Sequence, residues 1–279
     1  MALDQDHIEE IKEDKEMSFF DHIDELRKHL IRSAFFIVGF TILALVYMDY
    51  VFHHIILGPL RSDFITYRLL CDFAKKFNLG DSFCINDLNY TLQNTEMAGQ
   101  FTLTFKLAFI VGIIMAMPVV LFQLWLFIKP ALSKKEIKNT RGFVFYTSAL
   151  FLAGIFFGYF VLSPISVNFL GNYTLSPLIK NEINIDNVLS FLSLIVLGTG
   201  LIFELPVLMY FLARIGLISS AFLIKYRKHA ILVILIIAAI ATPPDVISQV
   251  ILTIPLYTLF EVGIIIIKNV EKNKLKTNE

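Results

Sequence analysis

The stretch Phe20–Met48, FDHIDELRKHLIRSAFFIVGFTILALVYM, decides how the chain must be read. Thirteen residues of mixed charge pass without a break into sixteen that carry no charged side chain. In and just before the first part, Phe19, Ile23, Leu26 and Leu30 recur at three- and four-residue steps, the spacing of one helix face. The other faces carry Asp21, Asp24, Glu25, Arg27, Lys28 and His29. The pattern predicts an amphipathic helix feeding an apolar segment, Ser33 to Ile56, long enough to cross about 30 Å of hydrocarbon. Acids just before a span are the unusual feature, because membrane-proximal cytoplasmic segments favour Lys and Arg. Asp24 with Lys28, and Glu25 with His29, have the four-residue spacing of intrahelical pairs. The other reading is a site for something cationic.

The same apolar texture repeats along the chain. Of 279 residues, 56% are hydrophobic and only 17% charged, against about a quarter charged in soluble domains. Five further runs follow the first: Phe101–Ile128 with Pro118 inside it, Phe143–Leu162, Val188–Ala213, Ala230–Thr242 and Val246–Ile267. The expected fold is all-α, a polytopic membrane protein of six transmembrane helices with the last two spans short. The fifth run, thirteen residues, reaches only about 20 Å as a helix. The basic cluster Lys225, Arg227 and Lys228 before it and Pro243-Pro244 after it argue for a short crossing. Orientation follows from the basic residues. With both termini cytoplasmic, 18 of the 24 Lys and Arg fall on the inner side. The expected organisation is a cytoplasmic amphipathic helix over 1–32, a six-span domain over 33–267 and a solvated, disordered tail over 268–279. Outer loops lie at 57–100 and 163–187, inner loops at 129–141 and 214–229. The charged start lacks a short cleavable apolar segment, so the first span is expected to serve as an uncleaved anchor.

Few residues carry candidate chemistry. Glu204, in LIFELPVLMY, sits near the middle of the fourth run. A charged residue there costs about 2.5–3.5 kcal/mol on insertion scales. It reads either as the wall of a polar, water-reachable concavity or as a hydrogen bond to a neighbouring helix. Lys106 lies near enough the outer edge to snorkel. Gly154 and Gly158, in GIFFG, permit close helix approach. TPPDVISQ sets Thr242, Asp245 and Gln249 at the outer ends of two spans, a turn that could also dock a partner helix. Cys71 and Cys84 share one outer loop, where a disulfide and two free thiols both remain open. The six histidines show no metal-ligand spacing, and no phosphate-loop, zinc-protease or nucleophile-elbow pattern occurs. Neither an enzyme, a metal, a cofactor nor a nucleic-acid partner is expected. On the residues alone, a proton-coupled small-solute transporter using Glu204 is a rival reading.

HIDELRKHL, the GPL at Gly58–Leu60, MPVVLFQLWLFIKPALSKKE, FELPV, TPPDVISQ and the later LFEVG stand in one order around these spans. In that arrangement the chain resembles TatC, the receptor family of the twin-arginine protein translocase, from about Met17 to Ile267. The resemblance implies a multi-pass protein of the bacterial cytoplasmic membrane that takes no cofactor. It implies binding of precursors with Arg-Arg signal peptides. With TatA- and TatB-type single-span subunits, such proteins export folded cargo using the protonmotive force, and a homo-oligomer within the receptor complex is expected. By motif position, Glu25 and Glu136 would meet the paired arginines, with Arg27 and Phe127 in the same signal-peptide site. Glu204 matches the family's intramembrane glutamate, and Thr242 and Gln249 its polar partner-helix site. Pro59 and Asp245 match recurrent outer-face positions. The first outer loop, with its cysteines, is longer than the family pattern.

Overall fold

The computed structural model describes residues 19–77, 90–129, 142–176, 181–214, 216–242 and 246–278. The amphipathic segment and the first span form one continuous helix, α1 (Phe19–Val46), extended by the short α2 (Met48–Val51). The second span is α4 (Gly99–Ile128), which carries Pro118 within it. The third is α5 (Phe143–Phe157), continuing through a wide turn at Gly158–Leu162 into α6 (Ser163–Asn172). The fourth comprises α7 (Ile185–Ile202) and α8 (Leu205–Arg214), and α9 (Ser220–Lys225) lies beyond it. The last two are α10 (Arg227–Ala241) and α11 (Val246–Asn278). In the first outer segment α3 (Ile65–Lys76) stands between α2 and α4.

Among the described residues, five helical stretches are long and apolar enough to cross a membrane unaided. The fifth span, α10, has 15 residues and reaches about 22 Å, so the shortness expected there holds. Several expectations need correction. The last helix is not short: α11 has 33 residues, and 27 of them form a spanning stretch. The tail, expected to be disordered, continues α11 as helix to Asn278, because Glu271, Lys272 and their neighbours have good helix propensity and no Pro or Gly intervenes. The third span does not stop at Leu162 but runs to Asn172. The outer loops hold a two-stranded parallel ribbon, β1 (Thr91–Gln93) against β2 (Glu182–Asn184), with Leu92 opposite Ile183. Three residues per strand are too few for an alternating pattern to be read in sequence.

α1 packs chiefly along α4, and only 6% of its spanning stretch is buried, so most of its apolar surface faces lipid. At their crossing a Cβ on Gly112 would lie 2.8 Å from the Thr41 backbone, an approach only glycine allows. α5 packs on α7 through GIFFG, where a Cβ on Gly154 would meet Thr199 O at 2.7 Å and the Gly200 Cα at 2.8 Å. Among the described residues three apolar clusters fill the rest, a small one of Leu121, Phe151 and Ile155 and two larger ones. One joins Leu162, Ile195, Phe203, Ile234 and Leu252, and the other joins Ala44, Leu60, Leu103 and Leu189 nearer the outer end.

Hydroxyls tie the outer cap together. The Tyr67 hydroxyl, buried, is shared between Pro59 O at 3.1 Å and Pro164 O at 2.9 Å. The Tyr90 hydroxyl donates to Leu60 O at 3.3 Å. Burial pushes the Tyr90 phenol up to about 12, so this donor keeps its proton at any physiological pH. The Asn184 side chain accepts from Asp186 N at 2.9 Å and so caps α7.

The GIFFG contact makes a direct expectation. Gly154→Ala should lower the thermal midpoint of the detergent-purified protein by the equivalent of about 1–3 kcal/mol, because the methyl group meets backbone. Gly198→Ala, with nothing within 4 Å of its Cβ, should leave the midpoint unchanged or raise it. Equal losses in the two variants would contradict the packing described.

Candidate functional site

The cytoplasmic ends of α1 and α4 meet through a polar contact. Gln123, only 8% exposed on the otherwise apolar inner half of α4, accepts at its Oε1 from His29 Nδ1 at 2.7 Å. The His29 ring then lies edge-on to Phe127, one turn further along α4, with centroids 6.5 Å apart. Glu25 stands one turn before His29 on the same face of α1 and is half-buried. The intrahelical pairs foreseen in the sequence do not form. His29 is spent on Gln123, and neither Glu25 nor Asp24 has an ion-pair or hydrogen-bond partner among the described residues. The structure therefore brings Glu25 and Phe127 to one surface, with His29 between them. Arg27 is exposed on α1. Glu136 lies outside the described residues.

Aromatic stacking fixes the inner ends of the neighbouring spans. Trp125 stacks on Phe143 at 4.7 Å and 29°, and Phe143 meets Phe211 edge-on at 5.2 Å. Arg214 donates to the Tyr210 hydroxyl at 3.1 Å. This joins α4, α5 and α8 beneath the Glu25 surface.

Glu204 occupies the break between α7 and α8. Pro206 has no N–H to offer the preceding turn, and the Glu204 carbonyl instead accepts from Val207 N and Leu208 N, both at 3.0 Å. Both carboxylate oxygens are buried without a hydrogen-bond partner. Ser148 Oγ, on α5, is likewise buried and unpartnered. Of the two readings of Glu204, the described residues provide no interhelical hydrogen bond.

The remaining candidates separate. Thr242 is buried and donates to Ala238 O at 2.8 Å within its own helix turn. Gln249, half-buried, donates from Nε2 to Leu235 O at 3.1 Å, binding α11 to α10. Pro59 is buried, and its carbonyl serves Tyr67. Cys71 is disulfide-bonded. Cys84 and Asp245 lie outside the described residues. Lys106, read in the sequence as snorkelling, pairs with Asp186 at 3.3 Å.

Sequence reasoning missed two polar anchors. Glu261 of LFEVG accepts from Arg227 at 2.7 Å and from the Tyr257 hydroxyl at 3.0 Å, clamping α10 to α11. Glu271 accepts from Ser220 N at 2.8 Å and from the Ser220 hydroxyl, which joins α9 to the same helix. A lone acid late in an apolar run, with a basic cluster one span earlier, was the available signal for the first.

A family profile described as "Sec-independent protein translocase protein (TatC)" matches residues 21–255. The chain belongs to the TatC family. It is 39% identical over 263 residues to a TatC protein of Blattabacterium sp. subsp. Periplaneta americana, covering 94% of this chain and 99% of that one. It is 34% identical to the TatCy protein of Bacillus subtilis, covering 94% and 93%. The crystal structure of a twin-arginine translocase receptor TatC in DDM superposes with a TM-score of 0.68 at 29% identity, covering 88% and 99%. As a TatC protein the chain is a subunit of the twin-arginine, Sec-independent protein translocase, a multi-pass protein of the bacterial inner membrane. The small-solute transporter reading of Glu204 finds no support in these matches.

A buried carboxyl with neither oxygen hydrogen-bonded lowers stability by roughly 1–3 kcal/mol. Glu204→Leu should therefore raise the thermal midpoint of the purified protein, the exchange of stability for function seen at strained sites. A lowered midpoint would mean that Glu204 has a partner that stabilises the fold.

Proposed function

We propose that this chain is the membrane receptor that recognises Arg-Arg signal peptides at the cytoplasmic surface formed by α1 and the inner end of α4. Glu25 and Glu136 are the acceptors, one on α1 and the other on the 129–141 connection. Phe127 is the apolar contact, and Arg27 flanks the site. The observation that carries the reading is the unpaired, half-buried Glu25, held beside Phe127 by the His29–Gln123 hydrogen bond. A carboxylate in that state already lacks part of its hydration and has no partner among the described residues to give up. Guanidinium presents a planar fork of donors that a carboxylate accepts bidentately, whereas lysine offers a point charge. Two acids on separate segments therefore favour Arg-Arg over Lys-Lys.

Under this proposal the receptor works with TatA- and TatB-type single-span subunits, and with further copies of itself, to export folded precursors using the protonmotive force. Thr242, Gln249 and Asp245 form the outer docking point for a partner helix, and Glu204 supplies a polar contact within the membrane. Gln249 would have to exchange its bond to Leu235 O for one to the partner, which keeps such docking reversible.

Charged hydrogen bonds contribute about 1.5–3 kcal/mol each, so Glu25→Gln or Glu136→Gln should weaken Arg-Arg peptide binding roughly ten- to a hundredfold. Titration of labelled peptide against protein in nanodiscs measures this. The same variants should narrow the preference over a Lys-Lys peptide. Unchanged affinity in both variants would refute the site.

A further inference from the structure

The first outer segment contains a feature that signal recognition does not use. α3 carries Ile65, Leu69 and Phe73 at four-residue steps, and Phe77 follows one turn later at its C-terminal cap. All four are more than half exposed, at 54%, 62%, 56% and 58%. Phe73 and Phe77 lie together, with ring centroids 4.5 Å apart. At about 100° per residue these four cover one sector of the helix. Tyr67 and Ala74, at 2% and 1% exposed, point to the protein from the opposite side. Arg68, Asp72 and Lys75 fill the sector between, all exposed. The helix thus has three faces: one against the protein, one charged, and one that is apolar except for Lys76 and has nothing among the described residues covering it.

Its position says what the apolar face meets. Thr66 Oγ1 donates to Phe160 O at 2.6 Å, and the Phe64 ring stacks on Phe160 at 5.8 Å and 11°. Phe160 belongs to the third span and is itself 36% exposed. Tyr67 fixes the next turn to Pro59 and Pro164. α3 is therefore held between the end of the first span at Gly58–Leu60 and the flank of the third span at Phe160 and Pro164. Its basic residues suit a headgroup boundary. Arg61 and Arg68 share Asp63, at 3.0 and 3.8 Å, whereas Lys75 and Lys76 have no ion-pair partner among the described residues.

We propose that α3 is an interfacial helix whose Ile65–Leu69–Phe73–Phe77 stripe lies in the outer leaflet, with Lys75 and Lys76 meeting the phosphates of anionic phospholipids. A helix with separate apolar and charged faces settles at the headgroup boundary, and long basic side chains there bury their stems and extend the ammonium to phosphate. A polar cap touching water alone would leave this stripe solvated. A lipid surface accounts for the apolar and the basic sectors together.

The test uses the full-length protein in vesicles containing phosphatidylglycerol. Trp125, the chain's one tryptophan, gives a constant background. Leu69→Trp, Phe73→Trp and Lys75→Trp are compared for quenching by lipids brominated near the headgroup or near the chain end, and by aqueous iodide. The expected result is bromolipid quenching several-fold stronger for Leu69→Trp and Phe73→Trp than for Lys75→Trp, with headgroup-proximal bromine the more effective, and the reverse order with iodide. Iodide reaching all three equally would overturn the proposal, as would bromolipid quenching that differs little among them. Quenching at Leu69→Trp that emerges only on dilution of protein in lipid would overturn it too, because a second copy would then have covered the stripe. Replacing phosphatidylglycerol by phosphatidylcholine should weaken the headgroup-proximal quenching. That lipid dependence should vanish with Lys75→Gln and Lys76→Gln combined, and its persistence would contradict the role given to the lysines.

Discussion

Inside hydrocarbon no water is present to complete a hydrogen bond, so each polar group must find its partner within the protein. Most of this chain obeys. Hydroxyls on the spans donate to carbonyls one turn back, as Thr41 does to Ile37 O and Thr199 to Ile195 O, both at 2.8 Å. Ser166 and Ser248 bond each other at 3.0 Å between α6 and α11. Lys106 is met by Asp186 and Arg227 by Glu261, so both bases are paired with acids on neighbouring helices.

The acids divide by that rule. Glu261 is matched by a base and a phenol and acts as a clamp between α10 and α11. Glu204 and Glu25 are matched by nothing among the described residues, one at membrane depth and the other at the inner surface. Fully paired acids hold the bundle together, and unpaired ones remain available to partners that arrive and leave. The local backbone agrees. Glu204 sits where Pro206 has already broken the helix, and Glu25 sits on a helix whose apolar surface is mostly given to lipid rather than to the bundle. Both positions can change partner without unpacking the core.

The spans and their order were legible because lipid demands long apolar runs, which few other structures produce. The family was legible in short motifs such as FELPV and TPPDVISQ. The crossing at GIFFG was legible too, because a glycine pair at four-residue spacing has few uses in a span. What escaped depended on tertiary partners. The parallel ribbon joins strands about ninety residues apart, with too little length for a pattern. The spacing of Glu25 and His29 suggested a pair, but Gln123 on another helix captures the histidine. Hydropathy ended the last span at Ile267, although helix propensity carries α11 well beyond it. The stripe on α3 was hidden because its segment, at four-residue spacing, is short and mixed with charge.

Recognition as proposed requires the Glu25 carboxylate, which has no partner among the described residues, to accept a guanidinium from outside the chain. A double-mutant cycle tests this most directly, combining Glu25→Gln in the protein with arginine-to-glutamine changes at each position of the peptide's pair. A coupling energy of about 1.5 kcal/mol or more for one of the two arginines, shrinking as salt rises, is the expected result. Coupling within about 0.3–0.5 kcal/mol of zero for both arginines would mean that Glu25 does not touch the signal, and the recognition surface would have to be placed elsewhere.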